Sequence, residues 1–293
     1  MGKLPSRLIG GACKKSLSSR YNACHSFTAF CKMKNHLDGM FWDVGAYSFE
    51  IPYLGNRVDA TKVLHTNLAQ IVWNSLRTLE NNPTSLPQTR TILQGQSVGD
   101  LSIFDLLQVK NYGDAARHLI NLVYAGEFQL DIQTACRIHA KAAQKEALEW
   151  GCLRNGKVSI ENVEFVPPPA DRLPDLAKQG FAYLARTVRN PKERAVAVFL
   201  FMSRSQFFWD ANKRTASLMM NGCLMDSGYA PITVLNQNSA LFHKELQDFY
   251  ETGDANGMVR FFADMTRNMY KDFPKTLMRP EPDYASSKET ALS

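Results

Sequence analysis

The stretch SRSQFFWDANKRTASLMMNGCLMDSG, residues 203–228, sets a polar loop directly before an apolar helix. Asp210, Asn212, Lys213 and Arg214 fall at the helix start, with Gln206 ahead of them. A helix N-terminus has unpaired N–H groups and the positive end of the helix dipole, so it is a ready anion site. Two cations in the first turn disfavour the helix alone, and an anion seated there would offset that cost. Arginine brings a planar fork matched to phosphate oxygens. Asn212 can cap the helix and fix the turn. Asp210 offers a hard oxygen suited to Mg²⁺ beside substrate phosphates. The same residues also describe an ordinary capped helix with solvated charges. Spacing alone leaves both readings open.

Outward from the loop, the pattern is helical. Upstream, PKERAVAVFLFMSRS opens on Pro191 and is apolar nearly all round from Ala195 to Met202, which predicts a central buried helix. The loop helix is predicted over 213–227, ended by Gly228, and its Met-rich face reads as core packing. Downstream, two more helices flank Gly253. Further upstream, 57–81 carries Val63, Leu64, Leu68, Ile71, Val72, Leu76 and Leu79 at helical spacing. NNPTSLPQ breaks that pattern, and TILQGQSVGD reads as a turn. Residues 101–126 predict two helices or one bent one, its Asn111-Tyr112 region packing under the 151–169 segment. Residues 131–150 predict one helix.

The texture changes at 151–169, GCLRNGKVSIENVEFVPPP. Asn155-Gly156 predicts a tight primed turn, Val158, Ile160, Val163 and Phe165 suit short strands, and three prolines end the second. The fold class is therefore mainly α with one small β-hairpin. The division expected is 1–32 as a basic tail, disordered or preceding a true start at Met33, then a helical region 33–104, a main domain 105–278 and a polar tail 279–293.

The net charge of +6 does not mark a nucleic-acid surface. Six of the 34 basic residues lie in 1–32, which holds no acid, and the other 28 match the 28 acids. A neutral body argues against a DNA-associated regulator. The six cysteines form no C-x-x-C pair, so they read as buried or free thiols of a cytoplasmic protein rather than metal ligands. No apolar window reaches membrane-span length.

QFFWDANKRTA resembles the signature loop of the Fic/Doc (Fido) family, His-Pro-Phe-x-Asp/Glu-Gly/Ala-Asn-Gly/Lys-Arg. Counting back from Arg214 matches Lys213, Asn212, Ala211, Asp210 and Phe208, with Phe207 in the proline position and Gln206 in the histidine position. The Ala-Asn-Lys-Arg form is closer to the Doc branch. CLRNGKVSIENVEFVPPP resembles the family's flap, and the resemblance covers roughly 105–265. It implies that Asn212, Lys213 and Arg214 hold the phosphates of ATP, that Asp210 binds Mg²⁺, and that Phe208 anchors the loop. Asn162, Val163, Glu164, Phe165 and Val166 would clamp a target protein by strand pairing. It implies transfer of AMP, or in Doc-like members phosphate, to a Ser, Thr or Tyr hydroxyl, and it admits a homodimer.

Two departures qualify this. Imidazole, with a pKa near 6.5, can take a hydroxyl proton at neutral pH; the Gln206 carboxamide can position but cannot act as base. That sets an impaired, nucleotide-binding pseudoenzyme beside the active transferase. The other departure concerns a family inhibitory motif, whose glutamate pairs with a second arginine. Gln94-Gly95 stands about where Glu-Gly is expected and Ser217 where that arginine is expected, so the obstructing ion pair should be absent. Trp209 could stack on a base or anchor the loop.

Overall fold

A computed structural model describes residues 34–284. The expected tail 1–32 lies outside the described residues, as does 285–293. A two-stranded antiparallel sheet, β1 (Lys34–Leu37) and β2 (Met40–Asp43), precedes ten α-helices. Its turn, Asp38-Gly39, has φ of 46° and 76°, the two-residue geometry that Asp-Gly favours. Met40 and Trp42 are buried, and the Trp42 indole N–H donates to Glu193 at 2.7 Å.

The helices are α1 (Arg57–Thr66), α2 (Leu68–Glu80), α3 (Leu86–Leu93), α4 (Ile103–Tyr124), α5 (Ile132–Ala142), α6 (Leu173–Thr187), α7 (Pro191–Ser205), α8 (Asn212–Asp226), α9 (Ser239–Thr252) and α10 (Asn256–Tyr270). The mainly α class with a small antiparallel sheet is as expected. The sheet is not where the sequence suggested.

Among the described residues no strand lies in 151–169. Neither Asn155 nor Gly156 takes positive φ; the reversal comes at Glu161-Asn162, where Asn162 has φ 57°. Long-range contacts occupy the Asn-Gly pair instead. A Cβ on Gly156 would lie 2.5 Å from the Trp209 ring. Buried Arg154 donates to the carbonyls of Gly156 and Pro168, at 2.5 Å each, and of Gln206 at 2.6 Å. These bonds draw the two arms together at their base, so the excursion keeps a hairpin's outline without a backbone ladder.

Other elements differ locally. The 57–81 segment breaks at Asn67, whose side chain turns back to the Val63 carbonyl. α3 begins inside NNPTSLPQ, because Ser85 and Gln88 form a reciprocal cap and Pro87 sits in the first turn, where its missing N–H costs nothing. α4 is one continuous helix of 22 residues. α5 stops at Ala142, short of the predicted 150, and the chain turns Glu146 inward. Asn111 meets this turn, donating to the Gln144 carbonyl and to Glu146, while Tyr112 contacts Ser217. They lie under the loop rather than the flap.

α7 is the buried centre: Ala195 to Ser203 is buried throughout. It packs most extensively on α8, whose Met219, Met220 and Met225 are core residues. Among the described residues, no helix is long and apolar enough to cross a membrane.

Candidate functional site

The 206–212 loop leaves α7 through Gln206, in the left-handed region at φ 47°. Phe207 and Phe208 then turn fully into the core, the placement that an anchor at Phe208 requires. The Phe208 ring stacks on His139 of α5 at 3.9 Å and 9°. His139 Nδ1 accepts the Gly151 N–H at 3.0 Å, so the proton is on Nε2, which donates to the Asp210 carbonyl at 3.1 Å. This histidine holds the loop from behind.

Burial lowers the His139 pKa to about 4. A base depressed in the fold adds stability that is complete above its unfolded pKa near 6.5, and that drains away as pH falls toward 4. Urea unfolding at pH 7 and pH 4.5 should show His139 contributing about 2 kcal/mol to the difference. His139→Asn should flatten that part of the profile; an unchanged slope would refute it.

Asn212 does not cap α8, contrary to expectation. Ala211, at φ 54°, is the cap residue, and no side chain bonds the first-turn N–H groups. Asn212 instead brackets Phe208, accepting from its N–H at 2.9 Å and donating to its carbonyl at 2.8 Å. Its amide also donates to Gln206 Oε1 at 3.0 Å, while Gln206 Nε2 donates to the Ser203 carbonyl at 2.7 Å. Both ends of the Gln206 amide are therefore engaged.

Arg214 departs furthest from expectation. It was expected on phosphates, yet it is fully buried. It meets Glu146 at 2.8 Å, the Ala142 carbonyl at 2.9 Å, Glu80 at 3.2 Å and Asp210 at 3.8 Å. Burial opposes its charge, but the three carboxylates outweigh burial and raise its pKa. Arg214 thus buttresses the loop from inside.

In front of the loop opens a cavity of about 470 Å³, lined by Gln206, Trp209, Asp210, Asn212 and Lys213 on one side. Val158 to Val163 of the flap form a second side, α9 supplies His243, Leu246, Gln247 and Tyr250, and α2 ends on it at Glu80. That volume suits a small-molecule ligand. Of the expected flap residues, Asn162 and Val163 line it. Phe165 stacks on the Arg204 guanidinium at 3.8 Å, Glu164 contacts Glu251, and Val166 is exposed. Trp209 packs on Ala143, Ala147 and Ala211 as well as on Gly156.

Gln94 and Gly95 stand apart from the cavity, exposed at the end of α3. A carboxylate is nonetheless present: Glu80 reaches the loop arginine itself, while Ser217 is buried. Glu80 thus pairs with the loop arginine itself, a different pair from the one that Gln94 and Ser217 would have formed. Sequence reading also missed Glu80, Arg154, Glu146 and His243. The Glu80-Asn81 pair after a helical run was the available signal for the first.

Residues 129–224 match the model of the Fic/DOC family. The protein adenylyltransferase Fic of Aedes aegypti is 29% identical over 219 residues, 70% of this chain and 42% of that protein. That of Culex quinquefasciatus is 29% identical over 213 residues, again 70% and 42%. The chain thus spans about two fifths of the length of these relatives. Among solved structures, Fic-1 (residues 134–508) from C. elegans aligns with TM-score 0.63 at 22% identity, covering 74% of this chain and 68% of that one. A Fic-domain signalling protein from Bacteroides thetaiotaomicron aligns with TM-score 0.59 at 18% identity, covering 73% and 87%. The solved structures share the fold, and residues 129–224 of this chain are similar to the Fic/DOC family.

Proposed function

We propose that this chain binds ATP in the loop cavity and transfers AMP, or another phosphate-containing group, to a hydroxyl of a protein. The observation that carries the reading is the cavity itself. It sets Asp210, Lys213 and the uncapped start of α8 opposite the flap. The relatives named as adenylyltransferases support AMP as the group.

Lys213 and the first-turn N–H groups of α8 take the phosphates, while Arg214 acts from behind by orienting Asp210. The site fits Mg²⁺. Asp210 is half-exposed, and of its oxygens Oδ1 accepts the Ala211 N–H at 2.5 Å. Asp210 lines the cavity beside Lys213, so a Mg²⁺ carried by the nucleotide would meet a carboxylate there. Mg²⁺, when bound, neutralises phosphate charge. Gln206 orients the acceptor hydroxyl, a Ser, Thr or Tyr side chain of the target protein, which lies along the flap.

A second reading is a nucleotide-binding module without turnover. It is favoured by the amide at 206, which has no usable basicity and is engaged at both ends. ATP labelled at the α or γ phosphate, with Mg²⁺ and a cell lysate as acceptor, separates the two. Label from α means AMP transfer, label from γ alone means phosphate transfer, and bound nucleotide with no label means a binding module.

Glu80 faces the same cavity as Lys213, so its charge opposes a triphosphate. Glu80→Gln is expected to tighten Mg-ATP binding about tenfold, roughly 1.4 kcal/mol. Titration calorimetry reads this directly, and an unchanged affinity would place Glu80 away from the phosphates.

A further inference from the structure

We propose that α9 supplies the pairing that the flap lacks, with Gln247 and Glu251 holding the chain extended about Val163, just after the Glu161-Asn162 turn, and thereby setting the register of the acceptor segment. The proposal rests on the reading of the flap as the target-docking element.

Gln247 Nε2 donates to the Asn162 carbonyl at 3.1 Å, and the Glu164 N–H donates to Glu251 Oε1 at 2.7 Å. These two peptide groups flank Val163 and turn to α9 together, as they do around an extended residue. The N–H and C=O of Val163 itself therefore point to the opposite edge. The spacing fits as well. Residues four apart on a helix rise about 6 Å, and two strand residues span about 6.6 Å. One helix face can thus act as a side-chain ladder for one strand repeat.

The other side of the strand is bare. Among the described residues, no protein group bonds the backbone of Val163 or Phe165, and the flap's own return arm forms no ladder. The strand cannot slide freely, because Phe165 is stacked on Arg204, which itself donates to the Tyr250 carbonyl of α9. The arrangement is one closed edge and one open edge. An extended polypeptide can exchange both hydrogen bonds with Val163 on the open edge. Its register is then fixed by α9, and so is the hydroxyl it delivers beside Gln206. Glu251 is a positioning residue in this account: it touches the flap and does not line the cavity.

The test uses the full chain with Glu251→Ala and Glu251→Gln, the second of which keeps the accepting oxygen. Amide hydrogen exchange of the unliganded protein is measured first. The Glu164 N–H is expected to exchange about tenfold faster in Glu251→Ala, the worth of one ordinary hydrogen bond, and at the unaltered rate in Glu251→Gln. Transfer kinetics come second: Glu251→Ala should raise KM for the acceptor protein more than it lowers kcat, with ATP affinity unchanged and Glu251→Gln restoring KM. Unaltered exchange in Glu251→Ala would overturn the side-chain ladder. Faster exchange with unaltered KM would overturn its role in register. Absence of transfer from the unaltered protein and from Gln206→His alike would overturn the docking reading itself, and the exchange rates would still decide the contact.

Discussion

Gln206→His is expected to raise transfer by about 10²- to 10⁴-fold, the usual worth of a general base. The scaffold for that base is already built. Residue 206 sits in the left-handed region, which histidine enters more readily than most residues. Two fixed partners surround its side chain, the Asn212 amide and the Ser203 carbonyl. An imidazole can use one ring nitrogen toward these and leave the other for the acceptor hydroxyl. With an ordinary pKa near 6.5 it is largely neutral at pH 7 and can take the proton. Initial rates with α-labelled ATP compare the two proteins at saturating nucleotide. A gain of the expected size means that Gln206 is the single missing part. Equal rates would mean that this site transfers without a side-chain base at 206. Nucleotide bound by both, with label in neither, would leave a binding module.

Arg214→Ala should lower unfolding stability by about 3–5 kcal/mol, because breaking a buried pair leaves uncompensated charge behind. Glu146 has no exposed side-chain surface and would lose its arginine; Glu80, nearly buried, would lose it too. Arg214→Lys should recover only part of the loss, since an ammonium cannot reach several acceptors as a planar fork does. Urea unfolding at pH 7 measures both. A loss under about 1 kcal/mol would show that Arg214 is not the internal prop that its contacts describe. This result also bears on any binding study, because an Arg214 variant that fails to bind nucleotide has lost its loop before it has lost a ligand contact.

The loop, the buried α7 and the class of the fold were legible in the sequence because each is a local pattern. Ala195 to Met202 has no polar face to turn outward, so it had to be central. The contacts made across the chain were not legible. Asp38-Gly39 and Asn155-Gly156 are equal signals locally, and tertiary contacts decide between them. The first turns with its own strands, while the second is taken up by Trp209 and Arg154. α5 ends early where Glu146 answers Arg214, a partner 68 residues away. Arg214 itself read as a phosphate ligand because sequence shows a charge's neighbours in the chain and not those in space. Glu80 was passed over for the same reason.

The segment that carries the family likeness ends at residue 224, yet the cavity does not. One wall comes from α2, which ends before that segment begins, and another from α9, which starts after it closes. A fragment trimmed to 129–224 would keep the 206–212 loop and the flap but lose Glu80, His243, Gln247 and Tyr250. Recognisable module and working unit are therefore different lengths of chain. On the proposed function, the loop and the flap lie in the shared part, whereas Glu80 and α9 would shape the site from its flanks, where two relatives with the same loop are free to part company.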